Sequence, residues 1–150
     1  MSLLRRRMMM ATEMEDEDMI GFKLVDTVTI TPSEKQKYID LSTYGCTEFF
    51  MHGNIPKTLN NTSFIIGIGN LNNVQNRTRS DVYSAEMTAH VCVLNNVAMG
   101  FAGFETGWSN GNTSGTLIPS PRSEEKTLML FSFYPYVDGG EQAVIEIYGR

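Results

Sequence analysis

The stretch VYSAEMTAHVCVLNNVAMGFAGF, residues 82–104, contains the clearest fold signal in the chain. Val82–Leu94 alternates between apolar and polar residues, which is typical of a strand with one buried face. The pair Asn95–Asn96 then indicates a tight turn, because asparagine tolerates a positive φ better than most residues. Val97–Phe104 is predicted to return as the second strand of a hairpin. Two glycines in that strand indicate bulges or close backbone approach: Gly100 and Gly103.

Six further strand-like runs flank this hairpin, and each is bounded by turn-forming residues such as Gly, Asn and Pro. They extend over residues 22–30, 38–41, 46–52, 63–68, 127–134 and 143–148. In the first run, alternation assigns one buried face to Phe22, Leu24, Val28 and Ile30. The connections 69–80 and 105–126 lack apolar periodicity and are interpreted as loops. About eight strands at this spacing predict an all-β chain with a jelly-roll-like two-sheet β-sandwich.

Residues 1–19 differ in composition from this sandwich domain, which is predicted to extend over residues 20–150. They combine an arginine cluster and a methionine cluster with a following acidic run. Their residue types favour a helix, but the order of charges opposes the helix dipole, so we expect an extended or partly helical N-terminal arm. Contiguous apolar groups usually mark a contact, and arginines pair with acidic groups. The arm is therefore predicted to bind a partner through Leu3, Leu4, Arg5, Arg6, Arg7, Met8, Met9 and Met10.

Size, charge and cysteine content limit the class of protein. A chain of 150 residues is long enough for one domain with its own core. Its net charge of −5 argues against nucleic-acid binding, which needs a basic surface. No apolar stretch fits a secretory signal or a membrane span, so we expect no membrane partner and a chain that stays in the cytoplasm. Cys46 and Cys92 are expected to be free thiols.

No spacing in the sequence is typical of a metal or cofactor site. The two histidines, His52 and His90, lie on different predicted strands, and the chelating patterns of zinc sites are absent. His90 and Cys92 are two residues apart and share a strand face, which is half of a metal site or, more commonly, a pair facing the core or a groove. We therefore expect no metal and no cofactor.

Catalytic residues cannot be assigned from the sequence either. The nucleophile-elbow pattern is missing. Sugar hydrolysis needs a pair of carboxylates assembled across strands, and nothing in the sequence brings Asp81, Glu86 and Glu105 together. The prediction is a protein that is not an enzyme.

The loop around Trp108 is the strongest candidate for ligand binding. The indole of Trp108 can stack on a sugar, while Asn110 and Asn112 supply hydrogen bonds, and loops on rigid β scaffolds often carry function. The more common role of such a residue, and the one favoured for Trp108, is to cap the edge of the sandwich or to contact a neighbouring subunit, because aromatic residues are also typical of protein interfaces.

The C-terminal residues carry a resemblance to a known group of proteins. Leu128–Tyr134, the turn Asp138–Glu141 and the final run Val144–Arg150 resemble the closing hairpin of β-sandwich modules in virion proteins of tailed bacteriophages. The opening residues 2–10 are also similar to the starts of phage structural proteins. The resemblance covers about a third of the chain and carries over no catalytic residue.

This resemblance implies a structural component of a phage virion, in the tail, a fibre or the head decoration. Such a component is assembled in the host cytoplasm, binds other virion structural proteins through its arm and forms a homo-oligomer, for which a trimer is favoured. The alternative function is a carbohydrate- or receptor-binding module, in which the Trp108 loop contacts a glycan on the host surface.

Overall fold

A computed structural model of the chain describes residues 21–34, 36–56, 63–69, 74–79, 84–106, 112–134 and 141–150. These residues form ten antiparallel strands and contain no α-helix. In chain order the strands are β1 (Lys23–Ile30), β2 (Lys37–Asp40), β3 (Glu48–Ile55), β4 (Ser63–Ile68), β5 (Val74–Arg79), β6 (Ala85–Leu94), β7 (Val97–Thr106), β8 (Thr113–Leu117), β9 (Leu128–Tyr134) and β10 (Ala143–Gly149). A single-turn 3₁₀ helix, Leu41–Tyr44, connects β2 to β3.

The strands form two sheets with jelly-roll topology. The larger sheet has the order β1-β10-β3-β6-β7-β8, and the smaller has the order β2-β9-β4-β5. Apart from β7 and β8, the pairs are nested: β1 with β10, β2 with β9, β3 with β6 and β4 with β5. This nesting is that of one long hairpin folded across two sheets, so the predicted jelly-roll-like sandwich is confirmed. The β7–β8 hairpin widens the larger sheet.

The core lies between the two sheets and consists of apolar side chains from alternate positions of both. Phe64 links the sheets, because its ring meets Phe133 on β9 at 5.0 Å and Phe104 on β7 at 6.3 Å, both edge-on. The largest fully buried side chains are Phe49, Phe64, Phe104, Phe131, Phe133, Ile30, Leu41, Met51, Ile55, Ile66 and Ile68. Burial of each such side chain contributes about 1.5–3 kcal/mol, which makes this layer the main source of stability.

Two strands lie where the sequence predicted only loops. β5 occupies part of the connection 69–80 and β8 part of the connection 105–126, so those two interpretations are wrong in part. The segments VQNRTR and TSGTL contain too few apolar residues to show a period of two. Each is the edge strand of its sheet, and it is extended because it pairs with β4 or β7. Strand formation there depends on backbone pairing rather than on side-chain pattern.

A β-bulge in β1 overturns the single buried face predicted for that strand. The register shifts between Leu24 and Asp26, so that Leu24 pairs with Tyr148 whereas Val28 pairs with Ile145. The extra residue moves Leu24 to the outer face, where it is 51% exposed. Val28 remains in the core.

The predicted β6–β7 hairpin is confirmed. Asn95 and Asn96 have φ angles of 52° and 59°, as a two-residue type I′ turn requires. The register continues without a bulge through both glycines. Gly100 is a site of close backbone approach, because an added Cβ would overlap the carbonyl oxygen of His90. At Gly103 an added Cβ would have its nearest neighbours at 3.8 Å, which is an ordinary van der Waals contact without overlap.

Both cysteines are free, as predicted, and they are half-buried rather than fully buried. The N-terminal arm, residues 1–19, lies outside the described residues, and its conformation and contacts stay predictions.

Candidate functional site

The outer face of the six-stranded sheet collects the side chains with the most distinctive chemistry. Because the sheet's register aligns successive strands, one row of residues crosses this face from β1 to β8. The row consists of Leu24, Tyr148, Phe50, His90, Phe101 and Thr116. Glu48, Cys92 and Met99 form a second row beside it.

His90 lies in the middle of the first row with its ring held on both sides. The ring stacks on Phe50 with centroids 4.5 Å apart and an interplanar angle of 12°. Phe101 meets it edge-on at 5.8 Å. The Nε2 atom is 2.8 Å from Oε1 of Glu48, within hydrogen-bond distance. These contacts fix the plane of the imidazole and direct Nε2 toward β3.

Glu48 is held from its other side by the last residue of the chain. Nε and Nη2 of Arg150 are 2.9 Å and 2.8 Å from Oε2 of Glu48, in a charge-assisted contact. The guanidinium also lies over the ring of Phe22, 4.6 Å from its centroid. Burial alone raises the pKa of Glu48, but the hydrogen bonds with His90 and Arg150 outweigh it and hold that pKa below its usual value. Glu48 is therefore a carboxylate at neutral pH.

Cys92 completes the cluster. It is the direct cross-strand partner of Glu48, and its Sγ is 3.8 Å from Nε2 of His90. Burial, and next the charge of Glu48, raise the pKa of the Cys92 thiol. The thiol is therefore protonated and weakly nucleophilic at neutral pH. We call Glu48, His90 and Cys92 the polar cluster; one ligand atom from each lies within 4.8 Å of the others.

Sequence reasoning found two of these three residues. It placed His90 and Cys92 on one strand face, which the structure confirms. It did not find Glu48, which lies 42 residues before His90. The one signal that identifies Glu48 is the pairing register of β3 with β6, which a single sequence does not contain.

An apolar patch adjoins the polar cluster at the β6–β7 turn. We define the apolar patch as Leu94, Met99, Phe101 and Ile118, which are 69%, 49%, 54% and 50% exposed. The first three point outward from β6 and β7, and Ile118 directly follows β8. Contiguous large apolar side chains on a surface of otherwise polar composition mark a site of contact.

At the other end of the same face, the absence of a side chain at Gly103 leaves an open cavity of about 270 Å³. Its polar lining comprises Glu86, Thr88, Glu105, Asn112, Thr113 and Ser114. Glu86 and Glu105 are direct partners across β6 and β7, so the structure brings together two of the carboxylates that the sequence left apart. Asp81 lies outside the described residues.

Of the residues predicted for ligand binding, Asn112 lines this cavity. Asn112 lies at its rim, and the Oδ1 atom of Asn112 accepts a hydrogen bond of 3.0 Å from the backbone N–H of Thr106. Trp108 and Asn110 lie outside the described residues, as do the arm residues Leu3 to Met10. Their predicted roles stay predictions.

No helix in the described part of the chain is both long and apolar enough to cross a membrane.

No protein-family model matches the chain. No curated protein matches it. Among solved structures, it shows a distant similarity to the plant- and prokaryote-conserved (PPC) protein of Pyrococcus horikoshii. The two are 12% identical, with a TM-score of 0.38 over 85% of this chain and 80% of that one.

Proposed function

We propose that the chain is a structural component of a tailed-phage virion that forms a homo-oligomer through its β-sandwich and binds a neighbouring virion protein through residues 1–19. The observation that carries the proposal is the apolar patch. It offers four large apolar side chains on the rigid outer face of the six-stranded sheet. The occupant we propose for it is a second copy of this chain.

The composition of the patch supports an interface. Phe101 is an aromatic anchor, and Met99 has an adaptable side chain of the kind enriched at protein contacts. The charged groups of Glu48 and Arg150 lie at its edge, which gives the arrangement of an apolar centre and a polar rim.

The jelly-roll topology supports the virion assignment. Sandwiches of this topology serve as capsid domains, and symmetric oligomers reuse a single interface. The resemblance of the C-terminal hairpin and of the opening residues to phage structural proteins points to the same class. A trimer is the oligomer we favour.

Mass photometry of the pure chain tests the interface. We expect a trimer for the wild type and a monomer for the double variant Leu94→Ser/Met99→Ser, because both changes remove exposed apolar area without touching the core. The matched control, Tyr38→Ser/Tyr134→Ser, removes two exposed aromatic residues from the smaller sheet and should stay trimeric. A monomeric wild type, or a patch variant with the oligomeric state of the control, would contradict the proposal.

Deletion of residues 2–19 tests the anchoring arm. The shortened chain should fold and form the same oligomer but should no longer join particles. Incorporation into particles at the level of the full chain would show that the arm is not the anchor.

A second candidate function, carbohydrate binding, is favoured by the cavity at Gly103. Its lining of two carboxylates, an amide and hydroxyl groups matches the donors and acceptors of a sugar. The Trp108 loop lies next to Asn112 in the chain, and its indole is the proposed stacking surface.

A glycan array with three forms of the protein tests this second function. Gly103→Val should reduce the cavity and abolish binding of a glycan that the wild type retains, while the fold is kept because the nearest atoms to an added Cβ lie at an ordinary contact distance of 3.8 Å. Trp108→Ala should weaken the same binding. No binding by the wild type, or equal binding by the Gly103→Val variant, would exclude the cavity as a sugar site.

A further inference from the structure

We propose that Glu48, His90 and Cys92 bind a divalent transition-metal ion of the zinc type. The three ligand atoms are Oε1 of Glu48, Nε2 of His90 and Sγ of Cys92, and all lie within 4.8 Å of one another. Carboxylate, imidazole and thiolate are the donors that zinc accepts in proteins. The site adjoins the proposed oligomer interface, because Phe101 contacts the His90 ring and Cys92 lies opposite Met99, and it is separate from the sugar cavity.

The spacing of the donor atoms suits tetrahedral coordination after a small adjustment. Zinc bonds of the usual lengths separate a nitrogen and a sulfur ligand by about 3.5 Å and a nitrogen and an oxygen ligand by about 3.4 Å. The observed separations are 3.8 Å for His90 and Cys92 and 2.8 Å for His90 and Glu48. The His90–Glu48 separation has to increase by about 0.6 Å, which a rotation of the Glu48 carboxylate can supply, and the Glu48–Cys92 separation lies within the 4.8 Å that encloses all three atoms.

Contacts outside the cluster already hold its ligands in place. Arg150 binds Oε2 of Glu48, which leaves Oε1 directed toward His90. Phe50 stacks on the His90 ring, and Phe101 meets it from the edge. Outer contacts of this kind orient ligands and increase metal affinity. Since β3 is paired with β6 over its full length, the cluster stands on a rigid base.

Charge and access also suit a divalent ion. A carboxylate and a thiolate supply two negative charges, and the proton of the Cys92 thiol passes to solvent when the metal–sulfur bond forms. The side chains of His90 and Glu48 are 26% and 23% exposed, so an ion can enter from solvent. Three protein ligands leave the fourth position to water.

Titration of the full, reduced chain with Co²⁺ in the absence of oxygen tests the proposal. We expect one Co²⁺ per chain, with a thiolate-to-cobalt charge-transfer band that Zn²⁺ abolishes by displacement. Cys92→Ser should eliminate the band. His90→Gln and Glu48→Gln should each lower the affinity at least about tenfold, the smallest loss that a disturbed metal site usually shows.

The chain offers a matched control for two of the three ligands, because it contains one other cysteine and one other histidine. Cys46→Ser and His52→Gln should keep the band and the wild-type affinity. No band in the wild type, or an unchanged band in Cys92→Ser, would overturn the proposal.

Alkylation of the cysteines in the wild-type chain tests metal binding without any variant. It takes the place of the Cys92→Ser measurement if that variant does not fold. Zn²⁺ should slow modification of Cys92 at least tenfold and leave the rate at Cys46 unchanged. Equal rates at Cys92 with and without Zn²⁺ would also overturn the proposal.

Discussion

The two faces of the β6–β7 hairpin differ in how specifically their residues are determined. Inward positions such as Ala89 and Phe104 are fully buried and contribute through volume and apolar area. Outward positions such as His90 and Cys92 depend on which side chain lies opposite on the next strand. Each strand of the hairpin therefore stabilises the core with its inner face and presents reactive side chains on its outer face. Substitutions at matched inner and outer positions compare how much each face contributes to the free energy of unfolding.

The largest expected change in the free energy of unfolding is the difference between substitutions of two phenylalanines on β7. Phe104 is 1% exposed and packs against Phe64, whereas Phe101 is 54% exposed on the outer face. Phe104→Ala should lower the free energy of unfolding by about 3–5 kcal/mol, because it removes buried area and leaves a cavity. In the monomeric Leu94→Ser/Met99→Ser background, which excludes a contribution from the proposed interface, Phe101→Ala should lower it by less than about 1 kcal/mol. Urea denaturation at neutral pH measures both free energies of unfolding. Equal losses would contradict the proposed difference between the inner and outer faces.

A smaller effect is expected at the glycines of the same strand. Gly100→Ala forces its Cβ into the backbone of His90 and should cost about 2–3 kcal/mol through strain between β6 and β7. Gly103→Ala meets nothing closer than 3.8 Å and should change stability by less than about 0.5 kcal/mol. Thermal unfolding of the two variants checks the contrast. A Gly103→Ala variant as unstable as Gly100→Ala would show that the outer face is more tightly packed than its open cavity indicates.

The smallest effect concerns a polar network outside the core, at the end of β2. Oδ1 of Asp40 accepts hydrogen bonds from the Ser42 hydroxyl at 2.7 Å, the Thr127 hydroxyl at 2.8 Å and the Ser42 backbone N–H at 3.0 Å. The hydroxyl of Ser42, and next that of Thr127, hold the pKa of Asp40 below its usual value. Asp40→Asn should cost about 0.5–1 kcal/mol at pH 7 because these bonds lose their charge assistance.

The effect of Asp40→Asn should depend on pH. Since the pKa of Asp40 is depressed in the folded state, its stabilisation is fully present above the unfolded pKa of about 3.9 and is lost as the pH falls through the lower folded pKa. Urea midpoints of wild type and variant should therefore begin to converge as the pH falls below about 3.9. A difference that stays constant from pH 7 to pH 3 would contradict the ionised network.

The fold was predictable where side chains alternate, and the candidate sites were predictable only in part. The Asn95–Asn96 turn and the strands around it follow from local pattern. The edge strands β5 and β8 did not, because backbone pairing rather than apolar periodicity makes them extended. The bulge near Leu24 was also not predicted. The sequence alternates on both sides of the bulge, so the extra residue is not visible in the pattern.

The sequence alone determined that the chain is an all-β sandwich, where most of its strands lie, and that His90 and Cys92 share a face. A strand's period of two depends only on neighbouring residues, so it can be recognised locally. Tertiary structure alone decided that Glu48 completes the cluster of His90 and Cys92, and that Glu86 lies opposite Glu105. Those contacts depend on the register between paired strands, and register is set by how the whole core packs.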